Sequence, residues 1–532
     1  MSSETKTTRW PMAAAVRAAY RAGQDDEKLE PLVLVDEAGE PVGRVQEGDY
    51  VIFYDLRGER EIQLTQCLTE PDFDKFPRTV TRAPFVTMIE YERDLNVRVA
   101  FPPLGEIKDT LPHVVAAHGL RQAKVVESEK SVHLTYYLNG KDENPLPGED
   151  RFILPSPHVA DYGEVPELNA AGVGDATLSA IANPDYRLII INFANTDVVG
   201  HVENPGAIKK AVHTVDTQIG RVVQAAREAD ATVIITADHG TVERWYYPDG
   251  AIDTGHTDSP VPFILVDARL KDARLRQDGA LTDVAPTALQ LLGLPKPPVM
   301  TGESMIVGKV PGGGEIPDGE RRVVLLIADG WGARDEVEGN LIAAADTPVM
   351  DQLQAEWPNT HIQAAGPAVG MPTGTVGNSE AGHIHIGSGR RFPADRVRIN
   401  EAIADGSFSE NEAFLWAMRG AKRDGVRLHL LGIISFYSSH GSVEHLKALM
   451  QLAKDEGVPE VYMHGMLGRR GERPESGAIY VESIEQEAER LGGVGQVVSI
   501  IGRFWSLDRE QNWDRIEKTY RWMVDGQGQE VR

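Results

Sequence analysis

Apolar, β-branched runs recur along this chain at 50–54 (YVIFY), 187–192 (RLIIIN), 232–236 (TVIIT), 262–266 (PFILV) and 323–327 (VVLLI). Each is closed by polar residues or glycine, and runs of this length predict buried strands. Between them, 207–229 and 282–292 carry helical periodicity. Alternation of the two patterns predicts an α/β fold with a largely parallel sheet. In such sheets chemistry gathers at the carboxyl ends of the strands. Three runs end there in charged or metal-capable residues: Asp197 after 187–192, Asp238 and His239 after 232–236, and Asp329 after 323–327.

A chain of 532 residues is too long for one simple core, so two or three domains are expected. A formal net charge of −26 argues against nucleic acid or an anionic membrane as the main partner, while local arginine clusters still allow a small phosphorylated substrate. The one cysteine, Cys67, rules out an intrachain disulfide and a thiolate metal site, leaving His, Asp and Glu to hold any metal. No apolar run reaches the length of a membrane span, and the opening MSSETKTTRW is not a secretory signal, so a cytoplasmic monomer is expected. The stretch 311–319 (PGGGEIPDG) has the composition of a flexible linker.

The loop 370–377 is rich in glycine and runs into GNSEAGH at 377–383, where Ser379 stands beside an acid. Glycines let a backbone turn sharply and approach a ligand, and a hydroxyl held there is a candidate nucleophile. Taken with Asp197, His201, Asp238, His239, His256 and Asp329, it gives three aspartates and three histidines, enough for two divalent ions with the serine oxygen as a further ligand. Asp197 and His201 are spaced i,i+4 and face one way on a helical turn. Asp238 and His239, if extended, point oppositely, so that each serves a different metal. Oxygen and imidazole donors suit Mn²⁺ or Zn²⁺ more than Ca²⁺. Such ions would deprotonate Ser379 and neutralise a transferring phosphoryl group.

ADGWG (328–332), GNSEAGH (377–383), NFANTDVVGH (192–201), TADHG (236–240) and TGHT (254–257) together resemble the motifs of the cofactor-independent phosphoglycerate mutases, in the alkaline-phosphatase superfamily. The resemblance covers nearly the whole chain. It implies two divalent metals, usually Mn²⁺, with Zn²⁺, Co²⁺ or Mg²⁺ as substitutes. It also implies a phosphoserine route between 3- and 2-phosphoglycerate. By motif, Asp329, Ser379, Asp238 and His239 would hold one metal, and Asp197, His201 and His256 the other.

The motif order is inverted relative to that family: 321–532 resembles its first half and 8–307 its second. A circular permutation is the expectation, with 311–319 joining the family's old ends. Permutation is tolerated where old ends lie close and new ends are exposed. It would make the phosphatase-like metal domain continuous over 105–392, while 1–104 and 393–532 together form a smaller α/β substrate domain.

That second domain is expected to cradle a carboxylate and a phosphate with guanidinium groups. FYDLRGER (53–60) resembles the family's FNFRxDR, giving Arg57 and Arg60; GRFWSLDR (502–509) resembles GRYYAMDR, giving Arg503 and Arg509. ESEK (127–130) places Lys130 near the transferred phosphate, and His440 matches the histidine of GVHSH. Two segments depart from the pattern. SFYSSHGS (435–442) keeps His440 but loses the preceding Asp-Gly-Gly. HGMLGRRG (464–471) keeps Arg470 but has Gly471 where the family has an acid, a candidate for handling the attacking hydroxyl's proton. Glu472 or Asp424 are candidate substitutes. Three readings follow: a phosphoglycerate mutase with a remodelled acceptor loop, a phosphohydrolase using the same serine, or a non-catalytic phosphometabolite-binding protein.

Overall fold

A strand covered on both faces needs apolar side chains at every position, and Val323–Ala328 meets that condition, with all six residues buried. The computed structural model describes residues 9–105, 107–159, 161–247, 249–308, 321–436, 440–468 and 475–532. The linker 311–319, Arg470, Gly471 and Glu472 fall outside the described residues. The chain divides into two compact units, a continuous one from Leu104 to Ala394 and a split one made of the residues up to Pro103 with Asp395–Arg532.

In the continuous unit seven strands form one sheet, in the order Asn359–Ile362, Val261–Val266, Thr232–Thr236, Val323–Ala328, Tyr186–Phe193, Arg121–Glu127, Glu149–Leu154. The last five run parallel, and Val261–Val266 is antiparallel to both of its neighbours. Val323–Ala328 is central: Leu326 lies opposite Ile191 on one side and Ile235 on the other. Each fully buried Val, Leu or Ile side chain contributes about 1.5–3 kcal/mol, and this core draws on all five inner strands. The helix Pro205–Glu228 starts where Asn204 accepts the amides of Gly206 and Ala207, with Pro205 in the first turn. It buries Ile208, Val212, Val215, Ile219 and Val222, the spacing of one helical face. The predicted helix 282–292 is instead a 3₁₀ turn, Leu281–Asp283, leading into Val284–Leu292.

The split unit holds an eight-stranded sheet, Gln529–Val531, Leu32–Leu34, Gln496–Gly502, Val461–Leu467, Leu428–Ile433, Tyr50–Phe53, Phe85–Ile89, Arg98–Phe101. All pairings are parallel except Leu32–Leu34 with Gln496–Gly502. Both chain segments supply four strands, and their apolar residues share one core. Among the described residues no helix is long and apolar enough to cross a membrane.

Candidate metal centre

Three central parallel strands of the continuous unit end side by side, and that register gathers their terminal acids. Asp329 directly follows Ala328; Asp197 lies on the short helix Asn195–Gly200 after Phe193; Asp238 comes two residues after Thr236. The amide of Asp197 donates to the carbonyl of Asp329 (3.1 Å), locking two of these loops together. Gly330 is at φ +78°, and a Cβ there would sit 2.8 Å from the Asp197 backbone, so only glycine lets the two approach.

Ser379 is the first residue of the helix Ser379–Ser388, whose Asn378 cap accepts the amide of Ala381. The hydroxyl thus sits at the positive end of a helix, where first-turn amides favour an incoming anion. Gly382 packs against Asp238, where a Cβ would come within 2.7 Å of the aspartate's own.

Lys130 is the hub. Its Nζ donates to Asp197 Oδ2 (2.6 Å), Asp329 Oδ1 (2.7 Å) and Ser379 Oγ (2.6 Å). Its contacts are with the carboxylates and the nucleophile. On the other side of Ser379, His239 Nε2 lies 2.9 Å from Oγ. Burial opposes ionisation of Asp197, but Lys130, His201 and His256 outweigh it and hold the carboxyl well below its ordinary range. Asp238 is likewise held low despite complete burial, chiefly by His239 and His383. Asp329 is pushed up, by burial and then by Asp238.

The histidines are oriented by their outer nitrogens. Nδ1 of His201 donates to Thr254 O (2.7 Å), Nδ1 of His256 to Gly377 O (2.9 Å) and Nδ1 of His239 to Gly240 O (3.2 Å). A carbonyl on Nδ1 leaves the Nε2 lone pair facing inward, the arrangement typical of metal-ligating histidine. The three Nε2 atoms lie 3.4, 3.0 and 3.7 Å from Asp197 Oδ1, for His201, His256 and His239 respectively. Asp238 Oδ2 is buried and accepts no hydrogen bond. Three buried aspartates face one lysine, and an orphaned carboxylate oxygen stands among inward imidazoles. This nitrogen-and-oxygen donor set fits divalent cations.

Ligand-type atoms come within 4.8 Å of one another in two triads here, Asp197–His239–His256 and Asp238–Asp329–His383. His201 joins the first through Asp197, and Ser379 touches both through His239 and Lys130. Asp238 and His239 do not point oppositely, since His239 Nε2 lies 3.5 Å from Asp238 Oδ2, but they fall in different triads. The segment bends at Asp238 and is not an extended strand. His383 is not among the ligands expected from the sequence. Its Nδ1 donates to Ser379 O (2.8 Å) and its Nε2 faces the Asn192 amide (3.0 Å), while Asn192 also donates to Asp329 Oδ2 (2.7 Å). With both nitrogens engaged, His383 braces the serine and Asp238 instead of offering a lone pair. Its i,i+4 spacing from Ser379 was the available signal.

In the split unit the expected cradle residues lie at the carboxyl ends of the parallel strands. Arg57 and Arg509 converge on Glu59 (3.4 and 2.9 Å), Arg60 donates to Leu507 O (3.2 Å) and Arg503 to Glu27 (2.9 Å). His440 is buried, its Nδ1 2.6 Å from Glu61 Oε1. Asp424 does not join them. It ends the helix Glu412–Asp424, before the amino end of the strand Leu428–Ile433, and binds Arg423 (2.7 Å) and the Tyr50 hydroxyl (3.1 Å). It therefore lies toward the amino ends of the strands, away from the cradle residues.

The Metalloenzyme superfamily model matches residues 35–296, and the model described as the BPG-independent PGAM N-terminus matches residues 399–532. The chain thus carries a Metalloenzyme-superfamily domain. Outside that stretch, it also carries a domain that matches the N-terminus of the BPG-independent phosphoglycerate mutases. It is 45% identical over 295 residues to the 2,3-bisphosphoglycerate-independent phosphoglycerate mutase of Moorella thermoacetica, covering 55% of this chain and 56% of that one. Proteins of the same name from Synechococcus elongatus and Thermomicrobium roseum are 44% and 43% identical, covering 55% and 57% of this chain and 55% and 59% of theirs. The chain spans about half the length of the curated relatives it matches. A solved structure of Leishmania mexicana phosphoglycerate mutase is 28% identical with a TM-score of 0.36, covering 51% of this chain and 53% of that one.

Proposed function

We propose that this chain is a metal-dependent phosphoglycerate mutase that interconverts 3- and 2-phosphoglycerate through a phosphoserine at Ser379. The observation that carries the reading is the setting of Ser379 Oγ. It lies at a helix N-terminus, 2.6 Å from Lys130 Nζ and 2.9 Å from His239 Nε2, beside three buried aspartates. The Ser379 hydroxyl lies 2.9 Å from His239 Nε2, the same lone pair that a metal on His239 would take. The Lys130 ammonium stabilises the alkoxide that attacks phosphorus, and the first-turn amides meet the phosphoryl oxygens. Asp197, His201 and His256, with Asp238, His239, Asp329 and Ser379, would hold two divalent ions, Mn²⁺ by donor type. Such ions lower the serine pKa and neutralise phosphoryl charge. Arg57, Arg60, Arg503, Arg509, His440 and Arg470 are assigned to the glycerate and its phosphate, for which paired guanidinium groups are suited.

We infer further that the chain is circularly permuted relative to its relatives. In support, the domain named for the family's N-terminus matches at 399–532, after the Metalloenzyme match at 35–296. The late strand Val323–Ala328 lies between two earlier ones, and the terminal Gln529–Val531 pairs with Leu32–Leu34.

The test is purified protein with 3-phosphoglycerate and Mn²⁺, without bisphosphoglycerate, followed by phosphorus NMR. Formation of 2-phosphoglycerate supports the mutase. Inorganic phosphate alone supports the phosphohydrolase. Binding without turnover supports the third reading.

A further inference from the structure

The split unit contains a second buried constellation that the metal chemistry does not use. Atoms of Asp55, Glu61 and His440 lie within 4.8 Å of one another, and all three side chains are buried. Asp55 follows the strand Tyr50–Phe53, Glu61 sits in the first turns of the helix Gly58–Thr69, and His440 lies shortly before the helix Val443–Asp455. Each acid has one oxygen fixed by backbone: Asp55 Oδ1 accepts the amide of Ile433 (2.8 Å) and Glu61 Oε2 that of Arg60 (3.0 Å). Of the remaining oxygens, Glu61 Oε1 meets His440 Nδ1 at 2.6 Å, while Asp55 Oδ2 is buried without a hydrogen-bond donor.

Two buried carboxyl groups in one enclosure cannot both ionise without a compensating charge; they retain a proton or take up a cation. The surroundings decide for the proton. Arg57, Arg60 and Arg503 all act on His440 through space, and a positive field of that kind opposes a divalent ion but not a neutral acid. Tyr54 and Tyr91 are the other titratable groups facing the pair. Burial raises Glu61 to about 8 against Arg57 and Arg60, and lowers His440 to about 4. Asp55 is raised well above its ordinary range, by burial and then by Glu61. Around neutrality the acids therefore keep a proton and the imidazole carries only one.

We propose that Glu61, backed by Asp55, is a positioning residue that sets the tautomer of His440 and exchanges a proton with its Nδ1, replacing the acid absent at Gly471. The inference rests on the mutase reading, in which His440 meets the glycerate. In the retransfer step a glycerate hydroxyl gives its proton to Nε2 of His440 while the Nδ1 proton passes to the Glu61 carboxylate. The hydroxyl oxygen takes the phosphoryl group, and the oxygen that gives it up keeps the electron pair. In the opposite step Glu61 returns its proton to Nδ1, and Nε2–H protonates the departing glycerate oxygen. The ring stays neutral throughout, and the proton count closes over the cycle. A mutase needs this alternation, because its 2- and 3-hydroxyls exchange the roles of acceptor and leaving group. Asp424 lies toward the amino ends of the strands, engaged with Arg423 and Tyr50.

The test uses the full chain with Mn²⁺ and compares wild type, Glu61→Gln and Glu61→Asp. We expect Glu61→Gln to lower the isomerisation kcat by about ten-fold or more. KM should be little changed, and the ionisation near pH 8 should disappear from the kcat profile. Glu61→Asp should restore a titrating limb. An unchanged pH profile in Glu61→Gln, or a loss confined to thermal stability, would overturn the proposal. A second readout is independent of turnover: nitrogen NMR of the His440 ring in metal-free protein. A tautomer change between about pH 7 and 9, absent in Glu61→Gln, supports the coupling even where the protein proves not to be a mutase. A ring that keeps one tautomer across that range overturns it.

Discussion

The two units treat buried acid in opposite ways. In the continuous unit Asp197 and Asp238 are held ionised, with Lys130 and four histidines arranged around them, and Asp238 Oδ2 is still left unmatched. In the split unit Asp55 and Glu61 are pushed toward the neutral form, although three arginines act on the same enclosure. The difference lies in the partners. Asp197 is met directly by the Lys130 ammonium (2.6 Å) and Asp238 by His239 and His383, whereas Arg57, Arg60 and Arg503 give their donors to Glu59, Leu507 and Glu27. Charged partners in direct contact offset desolvation for these two, and distant charges do not; Asp329, although 2.7 Å from Lys130, is pushed up by burial and by Asp238. One unit is thereby suited to hold cations and a phosphoryl group, the other to hold and return a proton.

The largest expected effect on this contrast comes from Ser379→Ala. Turnover should fall by about 10⁴-fold or more, as for other nucleophile deletions, with the unfolding midpoint nearly unchanged. Activity near wild type would remove Ser379 as the nucleophile. Next is Lys130→Met, which leaves Asp197 and Asp329 without their ammonium. In chelator it should destabilise the fold by about 3–5 kcal/mol, and added Mn²⁺ should recover much of that loss in thermal unfolding. Equal loss with and without metal would show that the lysine is not acting in place of cationic charge.

The acid pair gives a prediction of opposite sign. Glu61 has a raised folded pKa of about 8, so the native state binds more protons than the unfolded chain between the unfolded value and 8. Its contribution is full below the unfolded pKa and is lost as pH rises through about 8. Glu61→Gln should therefore gain on wild type as pH rises, by a few kcal/mol at most, and level off above that value. A difference independent of pH would mean that Glu61 is ionised in the fold. Gly471→Asp should raise the ratio of isomerisation to hydrolysis several-fold; an unchanged ratio would show that the missing acid is not the weak point. Asp424→Asn should change kcat less than two-fold, by about 0.4 kcal/mol or less, and a larger fall would reinstate it as a substitute acid.

Much of this arrangement is legible in the chain itself. The five apolar runs form strands because burial on two faces admits few alternatives, and the three that lie side by side in parallel bring Asp197, Asp238 and Asp329 together. The runs do not disclose that Val261–Val266 is antiparallel, since a buried strand reads alike in both directions. The bend at Asp238, which turns its side chain toward His239, depends on the packing of Gly382 and Gly330 against neighbouring loops. Glu61 was the least visible residue. In the stretch EREIQ it reads as a solvated helix position, and only the fold places it under His440, 379 residues away. Lys130 was recognised through its motif, but its bonds to Asp197, Asp329 and Ser379 join three separate loops and have no local signature.

The central claim is that Ser379 carries the phosphoryl group between the two glycerate positions. Rapid acid quench of the full chain with 3-phosphoglycerate and Mn²⁺, followed by mass spectrometry of its peptides, tests it directly. The account predicts phosphate on Ser379 that appears within the first turnover and is absent from Ser379→Ala. Full conversion to 2-phosphoglycerate with Ser379 unmodified at every quench time would contradict it.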